Sequence, residues 1–255
     1  MKQIVKLTLI FVMCFSFITT VNASEVNEEI SIQEIDQILI EANTPQSVID
    51  TLDDEMKKFI YSNSGEDIEY IETTKEDSEG INMRASGYQI SSNDLELSVL
   101  AFKVQGQNQV DIYPSYEWKT MVKPNEKNYF AYSVTDSYSV VPGKRSNQAW
   151  YRNRTNQAWQ EGATMAYTRS QITGYEHQGI TLGKPAGACY IRGNAYMRVD
   201  IDRSNPVKKI AIAYVHDTST SSSFSYGVSY GIATIGVTPS SSNVGYLNNI
   251  FYLNY

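Results

Sequence analysis

Leu95-Glu96-Leu97-Ser98-Val99 and Val110-Asp111-Ile112-Tyr113 are the two stretches that decide the fold. In each, apolar and polar residues alternate, so every second side chain points to the same side, which is the period of a strand with one buried face. Working outward, Phe130 to Val134, Tyr190 to Ile201, Lys209 to Val215 and Phe224 to Val237 read as further strands. Turn-forming residues punctuate them at Pro142-Gly143, Gly183-Lys184-Pro185, Arg203-Ser204-Asn205-Pro206 and Pro239 to Asn243. No strand-helix alternation follows residue 80, which argues against a parallel α/β fold. The expected fold class is mainly β, an antiparallel β-sandwich, with a twisted or elongated sheet as the alternative.

Upstream of residue 67 the period is helical. Ser31 and Glu34 form a capping-box pair, after which Ile32, Ile35, Ile38 and Leu39 recur at helical spacing. Thr44-Pro45 is a second helix start, because proline at the first helical position gives up an amide that had no partner. Ile49, Leu52, Met56, Phe59 and Ile60 then fall on one stripe, with Asp50, Asp53, Asp54 and Glu55 ahead of Lys57 and Lys58, the order the helix dipole favours. Two short α-helices are expected ahead of the β-rich part.

The first 23 residues have the order a signal peptidase reads: Lys2 and Lys6, an apolar run from Leu7 to Ile18, then Val21-Asn22-Ala23. The run falls short of the roughly 20 apolar residues a spanning helix needs. The expected location is therefore secreted and extracellular, with residues 1–23 removed. Cys14 would serve as a lipoprotein anchor in an alternative reading, but Met13 stands where that signal wants a small residue. With Cys14 gone, Cys189 is the only cysteine, so no intrachain disulfide forms. Charge divides the remainder: residues 24–80 hold 17 acids against Lys57, Lys58 and Lys75, whereas residues 81–255 hold 11 acids against 16 Lys and Arg. This gives a partition into a signal peptide (1–23), an acidic helical segment (24–80) that suits a propeptide or a surface cap, and a β-rich domain (81–255).

Thr44-Pro45 to Tyr61, with Val48-Ile49-Asp50-Thr51-Leu52-Asp53 and Lys57-Lys58-Phe59-Ile60-Tyr61, resembles the helical lead-ins of small uncharacterised secreted proteins of Gram-positive bacteria. The resemblance implies that cell type and no activity.

Candidate catalytic groups are sparse. The histidines are His177 and His216, with Cys189 between them in sequence. A thiolate paired with either is one reading; a small buried cysteine and a strand-end histidine hydrogen-bonded beside Asp217 is the other. Glu161, Glu176 and Asp217 are the carboxylates a secreted hydrolase would use, without any spacing that supports them. No zinc signature occurs, and Asp200-Ile201-Asp202-Arg203-Ser204-Asn205 lacks the Gly and terminal Glu of an EF-hand loop. No catalytic residue, metal or cofactor is assigned.

The most distinctive feature is a near-repeat, Ser146-Asn147-Gln148-Ala149-Trp150 and Thr155-Asn156-Gln157-Ala158-Trp159. Nine residues apart, the two indoles would fall on opposite faces of any one regular element, so they belong to two loops or two hairpin arms. Lys144, Arg145, Arg152 and Arg154 surround them. Trp150, Trp159, Tyr151, Arg152 and Arg154 are accordingly the candidate ligand-binding residues, since flat aromatic faces beside Asn, Gln and Arg suit sugar rings or membrane head groups. The competing reading is a hairpin whose tryptophans fill the core.

These features point first to a non-catalytic binding protein that contacts cell-wall carbohydrate or another anionic surface. The alternation Phe224-Ser225-Tyr226-Gly227-Val228-Ser229-Tyr230-Gly231-Ile232 fits either a sandwich strand or the spanning strand of a pore-forming or bacteriocin-like toxin. That gives a membrane-active alternative in which the acidic segment masks the body. Nucleic acid is not an expected partner, because the chain is acidic and carries no recognition module.

Overall fold

The structure, a computed structural model, describes residues 30–76, 87–122, 127–135, 138–162, 167–169, 176–178, 189–201, 208–219, 226–231 and 234–254. The expected signal peptide, and residues 202–205 of the run considered for calcium, lie outside the described residues. Residues 32–255 form one unit.

The helical lead-in forms as α1 (Ile32–Glu41), α2 (Gln46–Ile49) and α3 (Asp54–Ser64). The stripe expected to make one helix from Thr44 is divided at Thr51–Asp53. Asp53 adopts extended backbone and its carboxylate accepts the Met56 amide at 3.1 Å, which caps α3 and stops α2 from running on. Ile35, Leu39, Ile49, Met56 and Ile60 are buried, so the predicted stripes are the faces that pack. Gly65 ends α3 at φ +74°, a conformation that disfavours a side chain, and its amide bonds the Tyr61 carbonyl.

Fourteen described strands follow: β1 (Ile68–Lys75), β2 (Tyr88–Gln89), β3 (Leu95–Val104), β4 (Gln109–Trp118), β5 (Lys127–Val134), β6 (Tyr138–Arg152), β7 (Gln160–Glu161), β8 (Tyr167–Arg169), β9 (Glu176–Gln178), β10 (Tyr190–Ile201), β11 (Lys209–Asp217), β12 (Tyr226–Gly231), β13 (Thr234–Pro239) and β14 (Val244–Asn254). The main path runs β5-β11-β14-β1-β3-β4-β10-β6-β7 and is antiparallel throughout; β2 joins β14 in parallel. The path folds into a sandwich at β1. Ile68 to Ile71 of β1 pair with β3, and Glu72 to Lys75 pair with β14, so one strand passes from the first sheet to the second halfway along its length.

Alternation decides what the sheets enclose. Leu95, Leu97, Val99, Val110, Ile112, Tyr116, Ala195, Met197 and Val199 from the first sheet meet Phe130, Tyr132, Ile210, Ile212 and Tyr214 from the second in one buried cluster. The rings interlock across the gap: Tyr116 lies 5.0 Å from Phe130 and 4.7 Å from Tyr214, and Trp118 lies 5.9 Å from Tyr214. Gly193, opposite Tyr116 in the β4/β10 ladder, makes this possible. A Cβ there would come within 2.5–2.7 Å of the Tyr116 ring.

Both outer faces are covered. The helices lie on the outer face of the first sheet. On the second sheet, Ala131, Ala211, Ala213, Val215 and Val244 make a second buried cluster, and β13 of the β12/β13 ribbon lies against β5, β11 and β14. Among the described pairings that ribbon is hydrogen-bonded only within itself. The antiparallel sandwich preceded by short helices is therefore the observed fold. Residues 32–75 supply the helical layer and also β1, the strand where the sheets meet.

Candidate functional site

β10 alternates in a second way that its apolar side conceals. Arg192, Asn194, Tyr196 and Arg198 all point outward, toward the helices, and all four are buried. From Arg192 to Arg198 the strand extends about 20 Å, and the eleven residues of α3 rise about 16 Å. One arginine therefore comes to lie under each end of the helix.

At the C-terminal end of α3, Arg198 donates from Nε and Nη2 to Asp111 of β4 at 2.6 and 2.8 Å. Tyr196 donates to the same carboxylate at 3.1 Å, and the Ser64 hydroxyl does so at 2.6 Å. Asp111 has no exposed surface. The hydrogen bond to Asp111 raises the Arg198 pKa above its ordinary value against the opposing effect of burial, so the guanidinium stays charged. Burial raises the Tyr113 and Tyr196 hydroxyls, with Asp111 adding to it, so both stay protonated. This closed network ties helix to sheet.

At the N-terminal end, both oxygens of Asp53 accept from the Arg192 guanidinium, and Glu55 lies 3.7 Å from it. Arg192 also stands over two indoles, 5.0 Å from the centre of Trp150 and 4.3 Å from that of Trp159. Arg152 approaches Trp159 at 4.3 Å and Tyr190 at 5.7 Å. The register explains this: Arg192 is paired with Trp150, and Tyr190 with Arg152, so the four side chains share one face of the β6/β10 ladder. The result is an alternating series, Tyr190, Arg152, Trp159, Arg192, Trp150, continued to Phe59 of α3 at 6.0 Å.

A groove of about 250 Å³ opens on the other side of Arg192, between the start of α3 and the first sheet. Asp53, Arg192, Asn194, Ser98, Ser115 and Lys119 are among its lining residues. The Ser98 and Ser115 hydroxyls, opposite each other on β3 and β4, are 2.7 Å apart. Lys119 bridges Glu96 at 2.9 Å and Glu117 at 3.5 Å. Hydroxyl, amide and charged groups thus converge in the groove, with Arg192 lying between them and the indoles.

The tryptophan repeat has divided roles. Trp150 lies on β6 and is buried under Phe59, and Tyr151 faces the sandwich core. Trp159 sits in the turn before β7, which returns to pair with β6 through Trp150 and Glu161. Trp159 and Arg152 are half-buried and Arg154 is exposed. Arg192, Asp53, Ser98, Ser115 and Asn194 are additions to the residues expected from sequence. The available signal was Arg192 and Asn194 at alternate positions in an otherwise apolar run, since a charge at that period implies a polar layer over the second face.

The other candidates fall elsewhere. Cys189 is buried, and burial raises its thiol pKa, which suits a small core residue better than a nucleophile. His216 is buried at the end of β11, 2.7 Å from the Asn128 carboxamide and 4.9 Å from the Trp118 ring. Burial lowers its pKa to about 4, against the opposing charge of Asp217, so the ring is neutral near neutral pH. The His177 and Glu176 side chains lie outside the described residues. Among the described residues no group of three His, Cys, Asp or Glu side chains converges as metal ligands would.

No protein-family model matches the chain, and no curated protein matches it in sequence. Among solved structures it is similar to AvmM, which catalyzes macrocyclization in alchivemycin A biosynthesis (12% identity over 71% of this chain and 96% of that one, TM-score 0.26). It is also similar to a chain from work on Streptococcus parasanguinis adhesion by Fap1 fimbriae (9% identity, 72% and 95%, TM-score 0.33). A third is the Clostridium perfringens NetB toxin in its membrane-inserted form (10% identity, 73% and 96%, TM-score 0.32). Likeness at this level adds nothing to the geometry above.

Proposed function

We propose that the chain is an exported, non-catalytic binding protein that contacts carbohydrate or another anionic component of the cell envelope. The observation that carries this reading is the polar groove joined through Arg192 to the half-buried Trp159–Arg152 pair. A sugar presents hydroxyls that need donors and acceptors in close array, and the groove lining brings serine hydroxyls, the Asn194 amide and charged groups together, which supports this reading. Wall polymers also carry anionic groups, and the half-buried Arg152 and exposed Arg154 support a contact with them.

The test is sedimentation with purified Gram-positive cell wall, run beside Ser98→Trp, which fills the groove. The full chain is expected to leave the supernatant and the variant to stay in it. Retention of the full chain in solution with several wall preparations overturns the reading.

The second reading, a membrane-active protein, draws on the β12/β13 ribbon, which lies over an alanine-rich face without hydrogen bonds to the main sheet in the described pairings. Repeating the sedimentation with anionic liposomes, with dye release as the readout, separates the two. Release without wall binding would put the membrane-active reading first.

A further inference from the structure

We propose that Arg152 is an oxoanion-binding group and that the anion it takes is a carboxylate or phosphate borne on a sugar. The choice of a sugar rests on the envelope-binding reading above; the oxoanion contact is read from Arg152 itself.

Three arginines share this face of the first sheet, and two are matched by acids: Arg198 by Asp111, Arg192 by Asp53 and Glu55. Arg152 has no acid within ion-pair distance and no hydrogen bond among the described residues; its Nε, like that of Arg192, is enclosed without an acceptor, so it is the missing acid that sets Arg152 apart. Glu161, the nearest acid along the β6/β7 hairpin, is exposed and lies opposite Trp150, leaving Arg152 unmatched. A half-buried guanidinium has lost part of its hydration, and only the Trp159 and Tyr190 faces compensate it here. Because Nε is enclosed, an acceptor from outside meets this charge at the Nη groups.

The geometry also limits what the acceptor can be. The two aromatic rings beside the guanidinium carbon offer no acceptor oxygen, and a guanidinium whose Nη groups lack one matches two oxygens of one anion in a bidentate fork. Carboxylates and phosphates offer two such oxygens; a neutral hydroxyl offers one. Arg154, two residues further on, is exposed and adds a second positive charge to the segment. The groove beyond Arg192 is already occupied by its own acids, Asp53, Glu96 and Glu117. An anionic group is therefore directed to the Arg152 end, with its neutral sugar toward the groove.

Trp159 supplies the reporter, since an oxoanion arriving on Arg152 alters the charge against the indole. The full chain is titrated with glucuronate and glucose 1-phosphate, with glucose as the neutral control and acetate and inorganic phosphate as anions without a sugar. Arg152→Lys and Arg152→Gln are titrated alongside, with thermal melts to establish that they fold. The anionic sugars are expected to bind at least about tenfold tighter than glucose, and both variants to lose about tenfold for the anions. Lysine keeps the charge but lacks the fork, so its failure assigns the effect to geometry. Equal binding by folded variants, or no preference for anions, overturns the proposal. Acetate and phosphate binding as tightly as the sugars overturns its sugar half. Cell-wall sedimentation distinguishes the two levels: wall binding undiminished in Arg152→Gln overturns this inference and leaves the broader reading, whereas anionic-sugar binding without wall binding does the reverse.

Discussion

Arg192 and Arg198 stand on one face of one strand, under opposite ends of one helix, and are held in opposite ways. Arg198 is enclosed by a carboxylate with no exposed surface, which also accepts from a tyrosine and a serine. Arg192 is matched by two acids at the helix start, each about a third exposed, and is overlaid by indoles at the edge of a groove. The difference teaches that a buried charge alone does not mark a site. What matters is whether its hydrogen-bonding capacity is used up within the fold. The C-terminal cluster is closed and serves architecture; the N-terminal cluster, with Arg152 beside it, is open on one side.

The sharpest way to break this comparison is to remove Asp111. In Asp111→Ala, Arg198 keeps its burial and loses its partner, and the expected loss of stability is about 3–5 kcal/mol, read from the urea midpoint. A loss under about 1 kcal/mol would put the two clusters in the same class.

Any acid titration of the clusters must first subtract His216 on the other sheet. Its pKa is lowered to about 4 in the folded protein, against an ordinary value near 6.5 once unfolded. The unfolded chain therefore takes up the proton first as pH falls. The contribution is complete above about pH 6.5 and is lost progressively toward pH 4, on the order of 3 kcal/mol in all. His216→Asn should flatten that slope; an unchanged slope would assign it to other groups.

The smallest effect is expected at Asp53. Asp53→Ala removes the α3 cap and the main partner of Arg192, but at a position about a third exposed and with Glu55 still beside the guanidinium, so about 1–2 kcal/mol is expected. Circular dichroism should show fraying at the start of the helix, with no loss of sheet signal. A loss matching that of Asp111→Ala would show that the N-terminal cluster is structural too.

The sandwich was legible because alternation is a local property. Leu95 to Val99 and Val110 to Tyr113 open out into β3 and β4, and the runs at 130, 190 and 209 became β5, β10 and β11. The helix stripes were legible for the same reason, while the break at Thr51–Asp53 was not, because it depends on one carboxylate choosing to cap. The long strand β6 escaped notice behind its Pro142-Gly143 turn signal, which the strand carries within its span. Of the site, Trp159 and Arg152 stood out in the sequence, but Asp53 and Arg192 are 139 positions apart, and no local pattern pairs them. Register created the site, by placing Trp150 opposite Arg192 and Arg152 opposite Tyr190.

The divided strand β1 has a consequence for the order in which the protein can be completed. Its first half finds β3 soon after synthesis, whereas its second half pairs Glu72 with Asn254 and Lys75 with Phe251. Until β14 emerges, that half lacks its ladder partner and is held by the Thr73 hydroxyl on the Val99 carbonyl of β3, and the second sheet lacks the strand that joins β11 to β1. Closure of so distant a contact is slow compared with local pairing. A nascent chain is thus held in a half-built state with one strand edge waiting, and becomes a sandwich only when β14 is delivered.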